Sequence, residues 1–240
     1  MTDLEPGPPL VLVLRSLPTE RVVGDYTIKG VANRMPPRAL FLHPLAADSY
    51  LADLADHIGV SDMLRSAESS LHAVQTGRGA QPPGFSGHNF GFSIDVKVDE
   101  AIKKTGTHNK AGLDAWFQDR GWYCHRRDHQ RGHEDWHMNA FLLFGKLGAE
   151  LAIGGSYTSD ELEQLIQRVY GDKLRPGDVG CQVALKKLRM YSGEIDGDIG
   201  PISREAIKAF QRAWGINVDG KLDVKTRRTL AFVAAERQVV

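Results

Sequence analysis

Ser86-Gly-His88-Asn-Phe-Gly91-Phe-Ser93-Ile-Asp95 and, further along, Glu134-Asp-Trp136-His137 are two polar clusters that together contain the parts of a metal site. Two imidazoles and one carboxylate can hold a zinc ion and leave a coordination position open for water. A further carboxylate close to the last histidine can take a proton from that water. Phe92, Ile94, Val96 and Val98 alternate with Ser93, Asp95 and Lys97, which predicts a half-buried strand with Asp95 on the face opposite the apolar residues. An extended chain rises about 3.3 Å per residue, so His88 and Asp95 would stand roughly 20 Å apart if no bend intervened. Metal ligands must be near neighbours, so the chain has to fold back, and Gly87 and Gly91 supply permissive backbone for the bend. A second strand is expected within 136–144, with His137 and Asn139 on one side. Positions 134 and 137 differ by an odd number, so Glu134 and His137 converge only if the chain turns or bulges near Asp135.

Outward from these clusters, Leu10 to Leu14 reads as a buried strand and Arg21 to Ile28 as another. Asp48 is placed to cap a helix with Leu51, Leu54, Ala55 and Ile58 on its apolar face. Gly77, Gly79, Pro82, Pro83 and Gly84 mark a loop. Gly154-Gly155-Ser156 marks a boundary, and Thr158 with Glu161 has capping-box spacing ahead of an amphipathic helix bearing Leu162, Leu165, Ile166, Val169 and Tyr170. Lys173 to Gly180 is a second joint.

The last sixty or so residues contain an internal repeat. Ile195-Asp-Gly197-Asp-Ile199 through Ile207 aligns with Val218-Asp-Gly220-Lys-Leu222 through Leu230 at an offset of 23. The Asp-Gly pairs are suited to tight turns, and Ser203 and Thr226 to capping the helices that follow. A compact three-helix module is expected from 177 to 235.

Composition excludes several classes. Thirty Lys and Arg balance thirty Asp and Glu, so there is no basic excess to neutralise phosphates and no nucleic-acid partner is expected. No apolar run approaches the ~20 residues of a membrane span. Cys124 and Cys181 make no disulfide framework and are expected to be free. Met-Thr-Asp-Leu-Glu-Pro is acidic where a secretory signal is basic, which predicts synthesis in the cytoplasm. A monomer is expected.

The C-terminal module resembles the peptidoglycan-binding domain found on many cell-wall hydrolases, through Gln182, Leu185, Leu188, Ile195-Asp-Gly197, Gly200-Pro201-Ile-Ser203, Ala206, Phe210-Gln211, Gly215, Val218-Asp-Gly220 and Thr226. Asp223-Val224 departs from it, standing where Gly-Pro is usual. Ser86-x-His88-x-x-Gly91-x-Ser93-x-Asp95 with Glu134-x-Trp136-His137 resembles the VanY-like D-Ala-D-Ala carboxypeptidase family of zinc peptidases, which usually has Ala at the Ser93 position.

The resemblance spans about residues 40–145, with no clear counterpart for 1–35, and implies a hedgehog/DD-peptidase-like α+β fold. The zinc peptidase domain is expected at 1–153, a linker with a helix at 154–176, and a small all-α peptidoglycan-binding domain at 177–240. The resemblance makes His88, Asp95 and His137 zinc ligands and Glu134 the general base. Arg65, in Leu64-Arg65-Ser66, is the match to an arginine that holds substrate. A histidine that some members place two residues before the acid is here Gly132. The implied activity is hydrolysis of an amide bond in a peptidoglycan stem peptide. With no export signal, a phage or prophage endolysin released through a holin is the expected role, and a wall-remodelling bacterial enzyme the alternative.

Two rival readings use the same residues. His133-Glu134-Asp135-Trp136-His137 satisfies His-Glu-x-x-His, and with His125 and His129 a helix over 125–137 presents four imidazoles in a stripe. Arg126 to Arg131 offers no apolar face for such a helix. The other rival is a non-catalytic wall-binding protein, against which the acid Glu134 stands. Cys124 reads as a packing residue rather than a soft ligand, and Arg120, Arg126, Arg127 and Arg131 as a basic rim or a solvated loop.

Overall fold

The computed structural model describes residues 15–16, 41–42, 44–62, 65–77, 81–91, 93–125, 135–171 and 174–236. In chain order the elements are β1 (Arg15–Ser16), β2 (Phe41–Leu42), α1 (Pro44–Asp53), β3 (Val60–Asp62), α2 (Ala67–Gln75), β4 (Ser93–Val96), α3 (Val98–Thr105), α4 (Lys110–Gln118) and β5 (Tyr123–His125). There follow β6 (His137–Asn139), α5 (Gly145–Leu151), β7 (Ser156–Tyr157), α6 (Ser159–Tyr170), α7 (Asp178–Lys187), α8 (Pro201–Ala213) and α9 (Val224–Glu236). The strands expected at 10–14 and 21–28 lie outside the described residues. Among those described, no helix is long and apolar enough to cross a membrane.

Two compact units are present: described residues between 13 and 65 and between 87 and 165 form one, and 66–86 with those from 166 onward form the other.

The first unit is built on a five-stranded sheet in the order β3-β4-β6-β5-β7. All neighbours are antiparallel except β5 and β7. In β4 and β6, Ser93 faces Asn139, Ile94 faces Met138 and Asp95 faces His137. Side chains alternate along a strand, so Ser93 and Asp95 share one face with Asn139 and His137, while Ile94 and Met138 enter the apolar core. Phe117, Trp122, Phe141 and Tyr157 are also buried. The Trp122 indole N–H donates to Ser49 Oγ at 3.0 Å, which satisfies the polar end of a buried ring.

The strand around Asp95 differs from expectation in two ways. All four residues of β4 are buried, polar and apolar alike, rather than one face being solvated. The strand also stops at Val96, because Lys97 already occupies the N-cap position of α3 and Val98 is that helix's first residue. Acidic Asp99 and Glu100 in the first turn and Lys103 and Lys104 in the last complement the helix dipole. The second strand is likewise short, since a 3-10 turn takes over at Phe141–Phe144. Helix α1 starts at Pro44, ahead of the cap expected at Asp48, and ends at Asp53, so Leu54, Ala55 and Ile58 lie beyond the helix expected to carry them, although Leu54 and Ile58 are fully buried. The capping box at the start of α6 forms: Thr158 Oγ1 accepts from Glu161 N at 3.2 Å, and Thr158 N donates to Glu161 Oε2 at 2.5 Å.

In the second unit α7, α8 and α9 enclose Leu185, Ile207, Phe210, Leu230 and Val233, with Ala67 of α2 in the same core. Helix α2 itself is not anticipated by the sequence; Ser66 Oγ caps it by accepting from Ser69 N at 3.1 Å.

The repeat is built around two buried glutamines. Gln182 Oε1 accepts from the N–H groups of Asp196 and Gly197 at 3.1 and 2.7 Å, and its Nε2 donates to Asp196 Oδ1 at 2.8 Å. Gln211 does the same at Asp219 and Gly220, at 3.0, 2.9 and 3.0 Å. Gly197 and Gly220 have φ of 82° and 72°, a conformation that favours glycine. Ser203 and Thr226 are not the helix caps expected of them. Ser203 Oγ instead donates to Asp198 O at 3.2 Å, and Gly200 holds the cap position of α8. Asp223 caps α9, its Oδ1 accepting from Thr226 N at 2.7 Å, so the departure at Asp223-Val224 supplies a capping side chain.

Candidate metal centre

His88 is brought to Asp95 by a reversal of the chain. Residues Gly87–Phe90 form a 3-10 turn, Gly91 follows at φ 73°, and β4 then runs back past the turn. Gly91 is needed for its backbone conformation. Gly87 is needed for space, since a Cβ there would collide with Ser93 Oγ and Asn139 Oδ1, which are themselves hydrogen-bonded. His137 arrives by sheet register, directly opposite Asp95.

The result is a triangle of ligand atoms. His88 Nε2 lies 3.1 Å from Asp95 Oδ1 and 3.0 Å from His137 Nδ1, and His137 Nδ1 lies 2.9 Å from Asp95 Oδ1. All three residues are buried, with exposures of 1, 9 and 8 % for His88, Asp95 and His137. Burial presses the Asp95 carboxyl upward, but the charge of His88 and the hydrogen bonds from both rings outweigh it and hold the group well below the usual carboxylate range.

Protons alone do not account for this arrangement. A carboxylate is acceptor-only and each ring directs one nitrogen inward, so at most two of the three contacts can be hydrogen bonds. If both nitrogens carry hydrogens, the contact between the rings sets N–H against N–H. A cation bound by all three satisfies every contact at once. Ligands at about 2.0–2.1 Å from a tetrahedral zinc stand about 3.3 Å apart, close to the edges of this triangle. Among the described residues these three form a group able to hold a metal ion.

The neighbours of the triangle follow from the same elements. Arg65 Nη2 is 3.5 Å from Asp95 Oδ2, the carboxylate oxygen not shared with the rings. Arg65 is anchored through its main chain, donating to His88 O at 3.2 Å and accepting from Asn89 Nδ2 at 2.8 Å. The rings of His125 and Tyr157 stand edge-on at 5.2 Å, and both flank His137, at 6.4 and 6.5 Å between centroids. Those two residues face each other across β5 and β7. The sequence gives no sign of Tyr157 at this place, because its position depends on a parallel pairing between distant strands.

Glu134 and His133 lie outside the described residues, as do Arg126, Arg127, Arg131 and His129. Asp135 and Trp136 form the turn expected ahead of His137. His125 and His137 each lie in a strand, so a helix running the length of 125–137 is not formed. Cys124 is free and buried, its thiol 3.7 Å from Lys110 Nζ, and burial pushes its pKa up to about 11, which fits packing. Arg120 stacks over the Trp116 ring at 3.8 Å.

Residues 181–230 match the family model described as a putative peptidoglycan binding domain. The match spans most of the three C-terminal helices and leaves the candidate metal centre outside it. The C-terminal module is thus a peptidoglycan-binding domain, which fits action at the cell wall. No curated protein and no solved structure matches the chain.

Proposed function

We propose that the chain is a zinc-dependent peptidoglycan peptidase that hydrolyses an amide bond of the stem peptide, as a D,D-carboxypeptidase or an endopeptidase. The observation that carries this reading is the convergence of His88 Nε2, Asp95 Oδ1 and His137 Nδ1 to within 2.9–3.1 Å of one another. Its sequence frame resembles that of the VanY-like family of zinc peptidases, for which an α+β fold is expected. A zinc ion held by these residues supplies Lewis acidity toward a peptide carbonyl and acidifies water.

The chain's own residues supply the rest. Asp95 stays ionised and gives the site one negative charge, which leaves net positive charge for a developing oxyanion. Glu134, three residues before His137, takes a proton from water and returns it to the leaving amine. Arg65 offers a guanidinium to a substrate carboxylate, for which its planar fork is well shaped. The C-terminal module holds the insoluble polymer and raises the local concentration of substrate around the centre. A phage or prophage endolysin is the role we assign, with a bacterial wall-remodelling enzyme as the alternative.

The test is digestion of purified peptidoglycan followed by mass spectrometry of the muropeptides. Free D-alanine alone identifies a carboxypeptidase, and new amino termini identify an endopeptidase. Glu134→Ala is expected to keep its zinc and lose hydrolysis. Zinc content without turnover in the wild-type chain would instead make it a non-catalytic wall-binding protein.

A further inference from the structure

The C-terminal unit carries one kind of surface twice, and the chain itself covers one of the two. On α9, Arg228 Nε donates to Gly84 O at 2.5 Å and its guanidinium lies 4.1 Å over the Phe85 ring. Thr229 Oγ1 donates to Pro83 O at 3.3 Å. Phe232 packs so tightly that a Cβ on Gly84 would stand 3.2 Å from its own Cβ. A short run of main chain, Pro83-Gly84-Phe85, is therefore seated across α9.

The repeat offset of 23 takes Arg228, Thr229 and Phe232 to Glu205, Ala206 and Ala209 on α8. These same three residues line an open groove, with Met190, Pro201 and Ile202 among its other walls. Ile202 is 63 % exposed where the second copy has Lys225. Where Thr229 and Phe232 fill the covered copy, two alanines leave room in the open one.

We propose that this groove is the module's binding site for the peptidoglycan stem peptide, which lies across Glu205, Ala206 and Ala209 as residues 83–85 lie across α9. The occupant of the equivalent surface is peptide main chain held through its carbonyls. The open groove is apolar and has no aromatic platform or side-chain amide among its lining residues, the groups a sugar ring would use. Methyl-sized side chains such as those of D-alanine fit against Ala206 and Ala209. Glu205, paired with Lys208 at 2.8 Å, presents an acceptor where Arg228 presents a donor. It suits an amide N–H or the ammonium of the stem's diamino acid, and Lys208 suits a carboxylate. The proposal rests on the module's role as a peptidoglycan binder and not on hydrolysis.

The experiment uses the full-length Glu134→Ala chain, titrated by calorimetry with synthetic stem pentapeptide and separately with glycan strands stripped of peptide. Pentapeptide is expected to bind, and Ala209→Phe, which copies the covered surface, to weaken it at least tenfold. Ile202→Asp, at an exposed position, is expected to weaken it as well and keeps the test open if Ala209→Phe misfolds. Binding of stripped glycan in place of pentapeptide, or unchanged affinity in both variants, overturns the proposal. So does a concentration-dependent dimer that these variants abolish. Pentapeptide binding by a chain whose wild type shows no muropeptide cleavage leaves this site standing and removes only the peptidase.

Discussion

Arg65 and Asp95 form an ion pair in which Nη2 stands 3.5 Å from Oδ2, while Oδ1 of the same carboxylate faces both imidazoles. The arginine thereby orients the carboxylate it touches, and for a carboxylate that holds a metal such a partner typically matters 10–100-fold for metal affinity or activity. Arg65→Ala is expected to weaken zinc binding about tenfold, measured by competition with a chelating dye. A residue that only held substrate would leave zinc affinity unchanged and raise KM alone.

Metal binding should be visible as stability. A ligand that binds only the folded chain at a thousand times its Kd adds about 4 kcal/mol. Zinc is expected to raise the thermal midpoint of the wild-type chain, and a chelator to reverse the rise. His88→Ala and His137→Ala should show neither effect in the same thermal scan, and mass-spectrometric metal analysis should find them empty.

The two glycines of the reversal should fail for different reasons. Gly91→Ala places a side chain at φ 73°, at a cost of roughly 1–2 kcal/mol. Gly87→Ala drives a methyl into the Ser93–Asn139 hydrogen bond, an overpacking that costs about 1–3 kcal/mol and displaces β4 from β6. Urea unfolding gives both costs, and only Gly87→Ala is expected to lower zinc affinity as well.

Acid should loosen the C-terminal repeat. The hydrogen bond from Gln182 and the Asp198 N–H hold the Asp196 carboxyl below its usual range, and the Lys221 N–H and Gln211 do the same for Asp219. A carboxyl depressed in the folded state contributes in full above its unfolded pKa of about 3.9, and the contribution is lost as pH falls through the folded value. The amides of Gly197 and Gly220 are therefore expected to lose exchange protection below about pH 4, and Asp196→Asn to flatten that dependence for the first turn.

The convergence of His88, Asp95 and His137 is legible in sequence because each member sits in a local frame of glycines, small polar residues and alternating apolar positions. His88 needs only the reversal that Gly91 permits, and the His137–Asp95 pairing needs only two strands in register. The three-helix module is legible through its repeat. What was not legible depends on long-range order. His125 and Tyr157 meet His137 because β5 lies between β6 and β7, and no local periodicity sets a strand order. Helices α3 and α4 carry readable termini, Gly106 in one and Asn109 in the other, yet their short apolar patterns do not stand out. The grouping of 66–86 with the C-terminal helices rests on contacts such as that of Arg228 with Gly84, which join residues far apart in the chain.

Gln211 belongs to the helix of the first repeat but holds the turn of the second. The two halves are consequently interlocked rather than stacked: a fragment ending after Ala213 would keep this amide with nothing to bind, and one starting at Trp214 would have a loop with no clasp. Neither half is a minimal anchor that could be transplanted onto another enzyme; the pair must be moved together.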